Sequence, residues 1–505
     1  MQNSSRQIKL GGIISYFTIA FSIISGLIYT PWLISIIGQA DFGLYTLTGS
    51  LITMVTVDLG LAAAVTRFVS KYRAENNIAG IQNFMGVVYK LYIGLALCFL
   101  VLLSIVYLNV DSIFLKLTAA EIGKIKVLLA IAGMYAVISF PFQPLDGMLF
   151  SGEWFIFHKT TELISKVLNI GLMITALLMG YGLYAIVIVN TAVGIVIITL
   201  KLIFLKKNDW YAVAWKTFDK PLVKEIFSFS LWVMVISLAQ RLILNITPSI
   251  LGTTSGSNEI AIFSAAMTIE GYVWTFATVF GSMFLPKVAQ IIYKDDGGPE
   301  AIQELMLKVG RIQFIMLAAI VSIFIVIGHD FFIKWLGHDF EKSYLIAVFL
   351  VLPPLLIVPQ EIASTALVAS NKVKFNAYSK IIIAVISVIL SYILSLRFGS
   401  TGAGMAIFAG NVIGGVVVMN IIYVRVLKID IWSFFRNCQI SMAAPFVLVM
   451  ISGIALNYAF STVSWTNMII KTSILVIVYA AAAYFMALNK YEKDMITGVI
   501  KRKLK

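Results

Sequence analysis

The sequence predicts an all-α, polytopic membrane protein of about fourteen spanning helices, arranged as two six-helix repeats followed by two C-terminal helices. Three observations carry this. Of 505 residues, 60% are hydrophobic and only 12% charged, roughly half the charged share of an ordinary soluble chain. Apolar runs of about 20 residues or more recur along the chain, each long enough to cross hydrocarbon. Residues of the same type also recur at nearly one spacing. The mean hydropathy is +0.95. The runs are continuous rather than alternating, which disfavours a β-barrel.

In order, the first repeat holds spans at 11–37, 42–69, 84–108, 122–151, 156–180 and 183–206. The second holds 224–251, 259–291, 306–328, 343–370, 375–397 and 402–426. Spans at 437–459 and 466–488 follow as an appendage. The division is an N-lobe at 1–207, a cytoplasmic linker at 208–223, a C-lobe at 224–428, the last two spans at 429–490 and a basic tail at 491–505. The first span is too long for the apolar core of a signal peptide, and no small-residue cleavage site follows it.

The repeat rests on paired landmarks. Pro31 and Pro248 are 217 residues apart, Asp111 and Asp330 are 219 apart, and Pro141 and Pro359 are 218 apart. Ser151 and Ser370 are 219 apart, and Asn190 and Asn411 are 221 apart. Six spans per copy give both copies the same orientation, so an axis along the membrane normal is expected.

The net charge is +14, but the bases fall mainly between apolar runs, which points to membrane topology rather than nucleic acid. With the N-terminus inside, the outer segments hold only Lys116, Lys124, Lys126, Lys334, Lys342, Arg397 and Lys471. The inner segments hold roughly four times as many bases, so both termini are expected in the cytoplasm. Two cysteines and three histidines give no disulfide framework and no metal site. No Walker-type phosphate loop occurs.

The informative residues are the charges within spans. One such charge costs about 3 kcal/mol by insertion scales, so it persists where it meets a partner or a cavity. Counting along the spans puts Asp58, Arg241, Glu270 and Glu361 near mid-depth, and Arg67, Lys90, Asp146, Glu162 and Lys166 in the cytoplasmic third. Glu162 and Lys166, spaced i and i+4, are expected to pair. Structural ion pairs and snorkelling to headgroups compete with a functional reading. Together, Arg67, Lys90, Lys166 and Arg241 describe a cavity that attracts an anion, with phosphate or pyrophosphate fitting arginine's fork. Tyr272 and Trp274 in span eight are either sugar-stacking faces or packing anchors. The prolines of spans four and ten bend those helices, as hinges or as static features.

The stretch from Tyr29-Thr30-Pro31 through Gly38-Gln39-Ala40-Asp41-Phe42-Gly43-Leu44-Tyr45, then Asp58-Leu59-Gly60-Leu61 and Arg67, resembles bacterial polysaccharide flippases of the Wzx type. That family sits in the superfamily that also holds lipid II flippases and multidrug and toxin extrusion transporters. The segment from Phe331 to Gly337 matches in the second half. The resemblance implies two six-helix lobes around a central cationic cavity. It implies transfer of an undecaprenyl-pyrophosphate-linked oligosaccharide from the inner to the outer leaflet of the bacterial cytoplasmic membrane, for capsule, exopolysaccharide or O-antigen. It implies membrane lipids, a polysaccharide polymerase and assembly proteins as partners, and no nucleic acid. Substrate contacts would come from Arg241, Arg67, Lys166, Lys90, Trp274 and Tyr272. No cofactor is expected; if H+ or Na+ is coupled, Asp58, Glu270 and Glu361 are the candidates. Multidrug extruders of similar fold often carry an acid in the first span, and this span has none. Lipid II flippases tend to carry bases there, and none follows Lys9. Both remain alternatives, as does an enzyme that polymerises glycans, for which the loop of His329, Asp330, His338 and Asp339 is the one candidate site.

Overall fold

The computed structural model describes residues 4–57, 60–208, 213–215, 220–278, 284–293, 298–490 and 492–494. Among these residues there are helices and turns and no strands. Tertiary contacts divide the chain into two compact units, Met1–Ala261 and Ile262–Lys505.

The first unit begins with α1 (Ser4–Ile37), α2 (Gln39–Val55), α3 (Leu61–Ala74) and α4 (Ile78–Leu108). A short helix α5 (Val110–Ile113) leads to α6 (Ala119–Ser139). Then come α7 (Pro144–Ser151), α8 (Phe155–Leu178), α9 (Gly182–Lys207) and α10 (Lys220–Thr254). Long apolar sequences become helices here because a helix satisfies its own backbone in lipid. Span two is not one helix. α2 ends at Val55 and α3 starts after Gly60, which sits in the left-handed region at φ 77. Asp58 and Leu59 lie outside the described residues.

α3, α4 and the α6–α7 span share a core of Leu61, Phe68, Phe84, Tyr92, Phe140 and Met148. Its rings meet at 5.1 Å for Phe68–Phe84, 5.1 Å for Tyr92–Phe140 and 4.7 Å for Phe99–Phe140. Such rings supply large apolar area and favour tilted or edge contacts. α10 packs on α2 and α3, and α8 packs on α1 and α9.

The second unit contains most of α11 (Ser257–Thr278), then α12 (Leu285–Tyr293), α13 (Pro299–Leu336), α14 (Lys342–Ile357), α15 (Glu361–Ala369) and α16 (Lys374–Gly410). A π-helical stretch, Asn411–Val418, joins α16 to α17 (Met419–Ile422). The chain ends through α18 (Ile431–Phe435), α19 (Ala443–Ala459) and α20 (Trp465–Ala482). α16 is two helices joined at a non-helical Gly399 (φ 56, ψ −137).

Ten helices among the described residues are long and apolar enough to cross a membrane, or eleven if the bent pair Ile431–Ile440 and Ala443–Ala459 forms one span. The expected fourteen are not reached by this measure. α2 and α11 do not meet it, and residues 374–427 count once despite the break at Gly399.

The internal repeat is written into the backbone. Span four is broken by the turn Phe140–Phe142, and span ten by Val358–Gln360, 218 residues later. Each break carries a proline, which removes a helix hydrogen bond. Left-handed backbone recurs at the same spacing. Gly38 (φ 84) and Gly256 (φ 98) are 218 apart, and Glu153 (φ 58) and Asn371 (φ 57) are also 218 apart. Gly38 and Gly256 each separate two consecutive helices, where a side chain would be strained.

Two expectations about loops change. Lys471, expected outside, is 2% exposed within α20, its Nζ 3.0 Å from Asp330 Oδ2 of α13. The tail does not start free of the bundle. Glu492 is buried and accepts from Arg311 Nε at 2.6 Å and Nη2 at 2.9 Å. The other three N–H groups of Arg311 reach Asn437 O, Ser441 Oγ and Ala487 O, so all five donors are used. Residues 495–505 lie outside the described residues.

Candidate functional site: a polar stripe around Arg241

Arg241 lies in the middle of α10, half-buried, and forms no hydrogen bond or ion pair among the described residues. It lines a cavity of about 340 Å³ with Ser237, Gln240, Leu244 and Asn245. Ser237, Arg241 and Asn245 follow one another at intervals of four, and Gln240 adjoins Arg241, so one helix presents a guanidinium, two amides and a hydroxyl on neighbouring turns. Arg supplies five donors in a planar fork, and Gln and Asn supply donors and acceptors together. Such a stripe recognises an anion next to hydroxyl-rich groups. The sequence reading found Arg241 but not Ser237, Gln240 and Asn245. Their signal was present as polar residues at helical spacing in an otherwise apolar span.

The other candidate cations share the first unit. Arg67 is exposed on α3, its guanidinium carbon 5.8 Å from the Phe68 ring centroid, within cation–π range. α10, which carries Arg241, packs on α3, and α3 packs on α4, which carries the half-buried Lys90. Lys166 of α8 reaches across to α1, its Nζ donating to Ser22 Oγ at 2.5 Å. That contact corrects the expected Glu162–Lys166 pair. Glu162 is instead held by Lys159 Nζ at 2.9 Å, one turn before it. Lys166 is thereby directed at the neighbouring helix.

The remaining candidates belong to the second unit. Glu270 is buried on α11 and accepts from the Trp274 indole one turn on. Trp274 is therefore engaged within its own helix, and Tyr272, two residues from Glu270, is half-buried. Glu361, at the start of α15, lies within electrostatic reach of Lys380 of α16. Lys380, expected among the cytoplasmic bases, is an interior charge. Asp58 lies outside the described residues.

The loop considered as a glycan-polymerising site is a set of structural ties. His329 Nε2 contacts Glu341 at 2.9 Å, and Asp330 is held by Lys471. These contacts join α13 to the start of α14 and to α20. Among the described residues no group of His, Cys, Asp and Glu is arranged to hold a metal ion.

Residues 10–292, more than half of the chain, match the family model described as polysaccharide biosynthesis protein. The chain belongs to that family. No curated protein sequence matches it. Among solved structures it is similar to the lipid II flippase MurJ in an inward closed conformation, with 13% identity, TM-score 0.71, and 94% of this chain and 98% of that one covered. It is also similar to an inward-facing multidrug resistance MATE transporter of the MOP superfamily, with 16% identity, TM-score 0.57, and 78% and 95% covered. A Vibrio cholerae MATE transporter, VcmN, gives 12% identity, TM-score 0.57, and 85% and 99% covered. The fold is thus that of MOP-superfamily transporters. The family assigns the chain to polysaccharide biosynthesis, and its long apolar helices and fold are those of a multi-pass membrane protein.

Proposed function

We propose that this member of the polysaccharide biosynthesis family flips an undecaprenyl-pyrophosphate-linked oligosaccharide from the inner to the outer leaflet of the bacterial cytoplasmic membrane. The observation that carries the reading is Arg241, a guanidinium at mid-span with no partner among the described residues, beside Ser237, Gln240 and Asn245. A buried charge without a partner is costly. Its presence is accounted for by an anion that it binds transiently, and the diphosphate of a lipid-linked sugar is such an anion. Arg241 takes the diphosphate in bidentate fashion, and the amides beside it take sugar hydroxyls. Arg67, Lys90 and Lys166 attract the headgroup from the cytoplasmic side. Trp274 and Tyr272 offer aromatic faces to the sugar. The lipid tail stays in the bilayer while the headgroup crosses, and both termini lie in the cytoplasm.

The test is lipid mass spectrometry in cells lacking the protein, with sidedness read by a membrane-impermeant sugar-modifying enzyme. The reading expects the lipid-linked oligosaccharide to accumulate on the inner leaflet, and Arg241→Ala to reproduce that while still inserting. Charge-assisted hydrogen bonds contribute about 1.5–3 kcal/mol each, so loss of two lowers diphosphate affinity at least a hundredfold. Normal export by a well-expressed Arg241→Ala protein removes the site. Accumulation on the outer leaflet instead assigns the protein to a later step.

A further inference from the structure

A second cluster of titratable groups lies outside the polar stripe. Asp146 sits on α7, the short helix that follows the proline break in span four. Its Oδ1 is 2.6 Å from Lys201 Nζ of α9 and 3.1 Å from His158 Nδ1 of α8. The Lys201 and His158 side chains are 15% and 13% exposed. His158 Nδ1 is buried, and its approach to the carboxylate lacks hydrogen-bond geometry. The ring is backed by Phe150, at 4.6 Å between centroids.

The surrounding charges are otherwise engaged. Lys159 and Glu162 of α8 pair with each other, and Lys166 turns to Ser22. Arg73 of α3 donates to Ser151 O at the end of α7, at 2.7 Å. Arg67 and Lys71 of α3 lie against neighbouring rings, at 5.8 Å and 5.9 Å. Lys206 and Lys207 form the last turn of α9. Asp146 therefore stands between a lysine and an imidazole.

The second repeat supplies an internal control. Ser364, Asn376 and Asn420 stand 218, 218 and 219 residues beyond Asp146, His158 and Lys201. They lie on α15, α16 and α17, the helices that correspond to α7, α8 and α9. Asn376 Nδ2 donates to Ser364 O at 3.4 Å, and the Oδ1 atoms of Asn376 and Asn420 are buried without partners. In the second copy these three positions are thus neutral, and the charges of that junction, Glu361 of α15 and Lys380 of α16, stand three and four residues from Ser364 and Asn376. Ionisable residues are not required at these three positions, so their presence in the first copy calls for another role.

We propose that Asp146, His158 and Lys201 form a proton-binding site, with His158 taking and releasing the proton and so setting how firmly α7 is held to α8. Histidine is the side chain that ordinarily titrates between pH 5 and 8. With the proton on, Nδ1–H donates to Asp146, and the carboxylate bridges two cations and locks α7 to both α8 and α9. With the proton off, Lys201 alone holds Asp146, and α7 is tied to α9 but released from α8. The proline break before α7 lets that short helix move without disturbing the first half of the span. The inference does not depend on the identity of the transported lipid.

The chain has only three histidines, so proton binding can be read directly. The full chain, carried on a histidine-free tag in lipid nanodiscs, is labelled at histidine and titrated by NMR without substrate. The resonance lost in His158→Asn, a residue the second repeat already accommodates, is expected to respond to pH. In Asp146→Asn the pH dependence of the separation between α7 and α8 is expected to disappear, because the carboxylate beside His158 is gone. Spin labels on α7 and α8 are expected to move closer as pH falls, and not in His158→Asn. A His158 signal that does not titrate overturns the proposal. So does a separation of α7 and α8 that keeps its pH dependence in Asp146→Asn, or a label distance that is the same at both ends of the range. None of these outcomes bears on whether the protein flips a lipid-linked sugar.

Discussion

Removing the amine of Lys471 gives a sharp test of how α20 is held to α13. Lys471 is 2% exposed and its Nζ lies 3.0 Å from Asp330 Oδ2, whose side chain is 18% exposed. Lys471→Met keeps the length and apolar stem of the side chain but leaves the carboxylate nearly buried and without its cation. Breaking one side of a buried pair costs about 3–5 kcal/mol, because the surviving charge stays desolvated. Here the lower end applies, since His329 Nδ1 lies 3.7 Å from Asp330 Oδ1 and supplies a second, weaker neighbour. Asp330→Leu should cost a similar amount by stranding the ammonium. The double variant should recover most of the loss and fall within about 1 kcal/mol of the parent, since a packed apolar pair replaces an ionic pair at little net cost. The assay is a double-mutant cycle on unfolding in mixed micelles, which isolates the pairwise part. A Lys471→Met cost below about 1 kcal/mol, or strict additivity in the cycle, would refute the reasoning. Lys471 would then be a snorkelling lysine like those at membrane edges.

Two further outcomes follow from single contacts. Arg311→Ala removes five hydrogen bonds and strands the buried Glu492, so the segment from residue 490 onward should become sensitive to limited proteolysis; an unchanged digestion pattern counts against the clamp. At Gly147, an added Cβ would stand 2.7 Å from Val65 Cγ1 and 3.2 Å from Ala62 O, so Gly147→Ala should cost about 1–3 kcal/mol by overpacking, read as a lowered unfolding midpoint, with no change if α3 and α7 slide apart freely.

The class of the molecule was legible because lipid imposes it residue by residue. Long apolar runs and sparse charge need no knowledge of partners. The repeat was legible through prolines and glycines, whose backbone demands are local. The matching breaks after Ser139 and Ile357 sit where the paired prolines pointed. Arg241 was legible as a base deep in a span, and it has no partner among the described residues. Other features were not legible, for a consistent reason. Lys471 was read as a loop base because it lies near a span's edge, and only Asp330, 141 residues earlier, makes its burial tolerable. Glu162 has bases at both i−3 and i+4, and the choice between them depends on α1 standing close enough for Lys166 to reach Ser22. Asp146 was noted as a charge within a span, but Lys201 lies 55 residues on. Periodicity reports which face of a helix is apolar; it does not report which helix faces it.

The two repeats share backbone landmarks but differ in where they carry charge, and the difference bears on mechanism. At an offset of 218, the positions matching Arg67 and Lys166 are Leu285 and Ala384, and the position matching Arg241 in the first copy is Ile23. Lys90 matches Lys308, which is paired with Glu304. Asp146, His158 and Lys201 match Ser364, Asn376 and Asn420. Each position is therefore compatible with an apolar or neutral residue, or with a cation already neutralised, in an equivalent backbone. A charge held in a span costs about 3 kcal/mol, so a fold that can do without it gains by losing it. Arg67, Lys90 and Lys166 stand in the first repeat and Arg241 opens the second, and under the proposed function the anion they attract offsets the cost of keeping them.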